Sequence, residues 1–483
     1  MTKETRLSDR SQTSTLDETV QIVDWDGPDD PQNPKNWPTK RKWAATLIVA
    51  CFTLVSPIAS AIISPATSNI MREFGSTNST IAGMLTSIFV LGFAIGPLFL
   101  GPLSEVYGRS RVIQWANIWF LVWNFACGFT HTPTQLIIFR FFAGIGGSAP
   151  ITIGGAVVGD TFHPEQRGRA IAIYALGPMI GPALGPCVGA WIASRASWRW
   201  VFWSTSIFDV LVQIAGVMLL QETFAPVLLE RKARRLTREQ AADPEKGEKK
   251  VVVQYRTIYE DQDRSWQTIF KKALTRPLVL FAKEPIIQLL GAYMSLIYGI
   301  FYLFITTMPR IFENVYHEST GIMGLNYIAL GSGMLFASFL NSRTMDKIYK
   351  YCKERNGGVG EPEFRVREYQ SYGIPTIVPA SIVLPVGMLM SGWGAQNHTH
   401  WIVVDIGIFF VGMGMILSFQ CIQTYIVDCF PLYAASGIAA VGFTRSLCGF
   451  SFPLFAEAMY NSLGYGKGNT VLSAIAIALG CPA

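Results

Sequence analysis

The chain has 483 residues, 50% of them hydrophobic and 15% charged, with mean hydropathy +0.31 and a formal net charge of +6. A soluble enzyme would carry about 25% charged residues, and the apolar residues here fall in blocks that approach the roughly 20 needed to cross a bilayer. Composition therefore argues against a soluble enzyme and predicts an all-helical membrane protein, since a helix satisfies its own backbone in hydrocarbon. The positive charge flanks the apolar blocks and fills one middle segment, which is membrane topology and not a nucleic-acid signal.

In chain order, residues 1–42 read as a disordered tail ending in Pro31-Gln32-Asn33-Pro34-Lys35-Asn36-Trp37-Pro38. It lacks the apolar core of a signal peptide, so the first span is expected to direct insertion. Spans are predicted at 43–65, 81–103, 112–130, 135–157, 169–193 and 200–220. A polar stretch from Glu222 to Lys283 follows, and spans resume at 284–308, 321–343, 374–392, 400–427 and 433–456. A last apolar piece starts near Thr470 and offers about 12 residues, near 18 Å of helix against the ~30 Å of a full crossing. The twelfth helix is therefore expected to be incomplete, through truncation or an altered end. The domain reading is a tail (1–42), a six-helix bundle (43–221), a cytoplasmic central loop (222–283) and a second bundle (284–483).

Arg41, Lys42, Arg109, Arg111, Arg167, Arg169, the middle loop and the Lys347–Arg367 stretch fall on one side if every span crosses. The opposite loops hold fewer cations: Arg72, Arg195, Arg199 and Arg310. The rich side is expected to be cytoplasmic, with both termini inside. Asn78-Ser79-Thr80 and Asn397-His398-Thr399 are acceptor sequons on predicted outer loops, so Asn78 and Asn397 are candidate glycosylation sites. No Cys-x-x-Cys appears, and Cys51, Cys127, Cys187, Cys421 and Cys448 read as buried small hydrophobes. No ATP-binding loop occurs, His163 has no ligand cluster, and no nucleophilic triad can be assembled. No enzyme activity, cofactor or metal is expected.

Gly101-Pro102-Leu103-Ser104-Glu105-Val106-Tyr107-Gly108-Arg109-Ser110-Arg111 is a short charged turn between two apolar spans. Glu105 and Arg109 are four apart and can pair on a helical turn. The turn reads either as a latch between moving halves or as an ordinary positive-inside loop. Arg140 stands about six residues into an apolar span, where a charge serves a pathway or a pair, unless it snorkels to the interface. Gly177-Pro178, Gly181-Pro182, Gly185-Pro186 and Gly189 recur every four residues and give a helix one smooth face for close packing. Among the acids, Asp160 is expected to fix a loop with Arg167 and Arg169. Asp209 and Asp405 lie deep in their spans, whereas Asp428 and Glu457 lie near span ends.

The Gly101–Arg109 stretch resembles the loop between helices two and three of the major facilitator superfamily, and its Ser-Glu form resembles the fungal drug:proton antiporter family with twelve helices. Arg140-Phe141-Phe142-Ala143-Gly144, the Gly/Pro series, Trp198-Arg199-Trp200-Val201-Phe202-Trp203, Glu222-Thr223-Phe224-Ala225-Pro226 and Tyr425-Ile426-Val427-Asp428 resemble further segments of that family. The resemblance spans about Asn33 to Gly468. It implies two six-helix bundles with pseudo-two-fold symmetry, alternating access, and export of drugs, toxins or secondary metabolites against protons. It links Arg140 and Gly144 to proton coupling, and Gly177, Pro178, Gly181 and Pro182 to conformational switching or proton leak. Glu105, Arg109, Asp160 and Asp428 complete the candidate coupling set. Tyr174, Gln288, Tyr298, Tyr302, Asn326, Gln420 and Gln423 are candidates to line a midplane cargo site. Export of polyamines or organic cations, uptake of a small nutrient, and a truncated non-transporting product stay as alternatives. The expected partners are a small amphipathic or apolar organic substrate, protons and the bilayer. A monomer in the plasma membrane, or the vacuolar membrane, is expected.

Overall fold

The computed structural model describes residues 20–242, 254–257, 259, 266–355, 377–429 and 434–480. The first half contains α1 (Thr39–Ala61), the short α2 (Thr67–Glu73), α3 (Ser79–Tyr107), α4 (Arg109–Cys127), α5 (Pro133–Thr161), α6 (Pro164–Arg195) and α7 (Arg199–Leu219). Between the halves come α8 (Ala225–Ala242) and α9 (Trp266–Lys283). The second half contains α10 (Pro285–Asn314), the short α11 (Thr320–Met323), α12 (Tyr327–Arg355), α13 (Ile377–Gln396), α14 (Trp401–Cys429) and α15 (Ala434–Gly480).

Local chemistry sets the helix ends. The Asn78 side chain accepts from the Thr80 N–H at the start of α3, and Thr132 caps α5 ahead of Pro133. α3 stops at Gly108, whose φ of +100° admits no ordinary side chain.

Nine helical stretches among the described residues are long and apolar enough to cross a membrane. One is α15, which is not a single rod. At Gly464 the backbone leaves the helical region (φ 78°), and the Tyr460 hydroxyl donates to Asn469 Oδ1 at 2.6 Å. Residues nine apart in a straight helix would stand about 13 Å apart, so 465–480 folds back against 434–463. α4 is more polar than the nine because Gln114, Asn117 and Asn124 lie on it. It packs between α5 and α7, and α13 packs against α14 and α15.

The final helix thus begins near Tyr465 and not near Thr470, which corrects the sequence expectation and lengthens it to about 24 Å. Gly466, Lys467, Gly468 and Asn469 precede the start expected from the apolar run. In the fold the Gly466 N–H donates to Gln396 Oε1 at 2.7 Å and Asn469 Nδ2 donates to the Met388 carbonyl at 2.9 Å.

The tail is also more structured than expected. Residues 1–19 lie outside the described residues, but β1 (Val20–Val23) pairs in parallel with β2 (Gln254–Thr257). Lys232 on α8 donates to Asp26 Oδ1 at 2.5 Å and to the Asp24 carbonyl at 2.9 Å. Burial would raise the Asp30 carboxyl, but the N–H groups of Asp26 and Gln32, with the Lys232 ammonium, outweigh it and hold Asp30 below its ordinary value. A disorder-prone composition is ordered here by a strand partner and a buried lysine more than 200 residues away in sequence.

The halves meet chiefly through α3 with α15 and α6 with α12, and α6 also touches α11. α9 touches α3, α10 and α15.

Candidate functional site

α6 presents two small-residue faces, one to each half. Gly177, Gly181, Gly185 and Gly189 meet the backbone or side chains of Leu54, Pro57 and Ile58 on α1 and of Ile62 just past its end. A Cβ on Gly181 would stand 2.7 Å from Pro57 Cβ. Ala183 and Ala190 abut Gly331 and Gly324 of the other half. Pro178 is half-buried and Pro182 buried in the same helix, so the Gly/Pro series forms a packing seam within one half that continues into the joint between halves.

Arg140 on α5 is 1% exposed, which rules out snorkelling. Its guanidinium donates to the Ala59 carbonyl at 3.3 Å and the Ser60 carbonyl at 3.0 Å. These carbonyls belong to the last turn of α1, whose ends are unsatisfied within the helix and carry partial negative charge. Arg140 therefore caps α1, with Phe89 and Phe202 rings 5.2 and 5.8 Å from the guanidinium carbon. Gly144, one turn on, leaves room for the Phe89 backbone; a Cβ there would collide with the Phe89 carbonyl.

Ser60 extends this contact across the seam. Its hydroxyl meets Tyr302 Oη on α10 at 3.1 Å. Nearby, the Ser64 hydroxyl donates to the Ile305 carbonyl at 2.6 Å and lies 3.3 Å from Tyr327 Oη. The halves are thus tied by hydroxyls at the end opposite Gly108. A cavity of about 270 Å³ opens at that end, lined by Ser64, Thr67, Thr307, Glu457 and Asn461, with Arg310 paired to Glu457 at its wall.

At the Gly108 end, the expected pairing of Glu105 with Arg109 is corrected: the break at Gly108 destroys their four-residue helical register. Arg109 instead reaches Asp160 Oδ2 (Nε 3.6 Å), donates to Ser104 Oγ at 2.6 Å, and lies 4.4 Å from the Phe224 ring. Asp160 was expected to join Arg167 and Arg169, but Arg167 donates to the Gly159 carbonyl at 2.9 Å. Glu222 Oε1 accepts the N–H groups of Arg109, Thr223 and Phe224 at 2.8, 3.1 and 3.1 Å. It places a carboxylate on the N-terminus of α4, where the helix dipole favours it. Its contact with Arg109 is invisible in sequence because the two lie more than 100 residues apart; the signals for it are its place directly after a span and the Glu222–Pro226 segment that resembles the family.

The cargo candidates divide. Tyr298 and Tyr302 stack edge to face at 5.2 Å beside the seam. Gln423 is half-buried on α14. Tyr174 donates to the Pro150 and Ile151 carbonyls at 3.1 and 2.8 Å, binding α6 to α5 inside the first half. Gln288 donates to the Phe281 and Ala282 carbonyls at the α9–α10 junction. Asn326 donates to Glu318 Oε2 at 2.8 Å, and Gln420 joins Asn341 and Ser338 between α14 and α12. The Asp428 side chain lies outside the described residues. Asp209 is fully buried between α7 and α4, accepting from Asn117 Nδ2. Asn78 and Asn397 are both exposed. Asn78 lines the cavity at the end opposite Gly108.

A family model described as Major Facilitator Superfamily matches residues 49–453. The chain is 43% identical to "Efflux pump vrtL" of Penicillium aethiopicum, over 99% of this chain and 90% of that protein. It is 40% identical to "MFS-type transporter penM" of Penicillium rubens, over 95% of this chain and 86% of that protein. Among solved structures it is similar to the partially occluded inward-open xylose transporter XylE from E. coli, with TM-score 0.65 and 16% identity over 92% of this chain and 97% of that one. Relatives at this identity and coverage, a family match over most of the length and a shared fold converge: the chain belongs to the Major Facilitator Superfamily and is a multi-pass membrane transporter of small molecules, not an enzyme.

Proposed function

We propose that this transporter exports small amphipathic organic molecules in exchange for protons, by alternating access. The observation that carries the reading is the hydroxyl-tied, small-residue seam between the halves. It can part at Ser60–Tyr302 and Ser64–Tyr327 with little loss of apolar burial, while Arg109, Asp160 and Glu222 gather charge at the opposite end. A relative named as an efflux pump supports the outward direction. The Lys and Arg bias supports a cytoplasmic Gly108 end with both termini inside, and a plasma-membrane location is part of the proposal. Arg140 sits where a change in α1 is passed to α10, which suits a coupling role. The transporter works as a monomer, each half supplying one wall of the path.

Inside-out membrane vesicles test this. With an acidic lumen, the wild type should accumulate a lipophilic dye, and collapse of the gradient should stop it. Accumulation indifferent to the gradient would remove proton coupling. Accumulation only from vesicles of the opposite orientation would reverse the direction.

A further inference from the structure

Arg140 and Arg445 both stand in the bundle, and they are compensated differently. Arg140 is answered by the carbonyl end of α1. Arg445, on α15, has no such answer. Its guanidinium carbon lies 5.0 Å from the Tyr298 ring of α10 and 5.0 Å from the Phe419 ring of α14. Its Nε is buried without a hydrogen-bond partner. No carboxylate among the described residues lies within ion-pair distance of it.

The site borders the joint between halves. One turn from Arg445, Gly449 lets Tyr298 and Val90 of α3 approach together. Tyr302, whose hydroxyl meets Ser60, lies within electrostatic reach of Arg445. Two aromatic faces attract a guanidinium, but they leave its hydrogen-bonding fork unused. A half-buried arginine inside a membrane bundle with no counter-charge among the described residues marks a functional position. The planar fork matches a carboxylate bidentately, and the flanking rings suit an aromatic or apolar body.

We infer that Arg445 is the anion-binding residue of the cargo path, and that the cargo is an amphipathic organic acid carried as its carboxylate. This rests on the export reading and narrows it: an organic cation or a polyamine would meet like charge here.

The test uses the full chain in proteoliposomes and three probes of one shape: 2-naphthoate, neutral 2-naphthamide and cationic 2-naphthylmethylammonium. Binding is read by intrinsic fluorescence and transport by probe movement. The wild type should prefer naphthoate over the other two by about tenfold, the scale of one charge-assisted contact. Arg445→Gln should lose that preference, and Arg445→Lys should keep part of it. The wild-type comparison alone decides the matter if the variants do not fold. Equal or better handling of the amide or the cation overturns the charge assignment and leaves export standing. Retained naphthoate preference in Arg445→Gln overturns it too. Failure to bind or move any probe, with either gradient, overturns both the assignment and the export reading.

Discussion

The hydroxyls of Ser60 and Tyr302 meet at 3.1 Å across the two halves, while the Ser60 carbonyl accepts from Arg140. One residue at the end of α1 therefore carries a contact from α5 to α10. Arg140→Ala should abolish coupled transport while the chain still inserts. It leaves helix-end carbonyls unpaired, a loss of about 1.5–3 kcal/mol for hydrogen bonds to a charged group. Dye accumulation and surface delivery, measured together, check this. Normal gradient-driven accumulation would remove Arg140 from coupling.

Tyr302→Phe deletes only the hydroxyl. It should weaken the tie between halves by about 1 kcal/mol and shift the equilibrium toward opening at the end opposite Gly108. A cysteine introduced at Ser68, near that end, should then label faster. A double-mutant cycle with Ser60→Ala should give a coupling energy clearly different from zero; additivity would mean that the hydroxyls do not act as a pair.

Gly144→Ala should separate α3 from α5, because the new methyl meets the Phe89 carbonyl, a backbone atom that cannot swing away. Overpacking of this kind costs about 1–3 kcal/mol. The expected result is a lower unfolding midpoint and poor yield. An unchanged midpoint would contradict the packing seen at that crossing.

Glu222→Ala removes the acceptor of three N–H groups at the start of α4. Loss of such a cap should cost about 1 kcal/mol and raise the reactivity of a cysteine placed at Ser104. Glu222→Gln, which keeps an oxygen, should fall between alanine and wild type. Identical behaviour of both variants would show that charge alone matters there.

Glu318 lies in the α10–α11 connection, where burial pushes its carboxyl above the ordinary 4.5, partly offset by the Asn326 amide. Its charged form is disfavoured on folding, so its contribution is fully present below 4.5 and lost as pH rises through the elevated native value. Glu318→Gln should therefore raise the unfolding midpoint at neutral pH, and the gain should vanish in acid. A gain that persists at low pH would exclude titration of Glu318 as its cause.

Much was legible in sequence because the bilayer imposes a strong code. Apolar length located the spans, closely in the first half and less so at α12, expected at 321–343 and found at Tyr327–Arg355, and the Gly/Pro series announced a close-packed helix face before any partner was known. Where the code weakens, local reading failed. The last apolar run starts only near Thr470, yet Gln396, Met388 and Tyr460 bind Gly466 and Asn469, and the helix begins near Tyr465. The tail lacked apolar content, yet β2 and Lys232 order it from Val20 onward.

The sequence by itself determined a polytopic helical transporter, since hydropathy, helix periodicity and glycine spacing act over a few turns and need no distant partner. Only the tertiary structure decided which charges meet. Arg109 found Asp160 and Glu222 and not Glu105, Arg140 found the end of α1, and Arg445 was left facing the seam with two rings. Ion pairs and caps depend on groups a few ångströms apart in space but tens to hundreds of residues apart along the chain, and no local pattern encodes that distance.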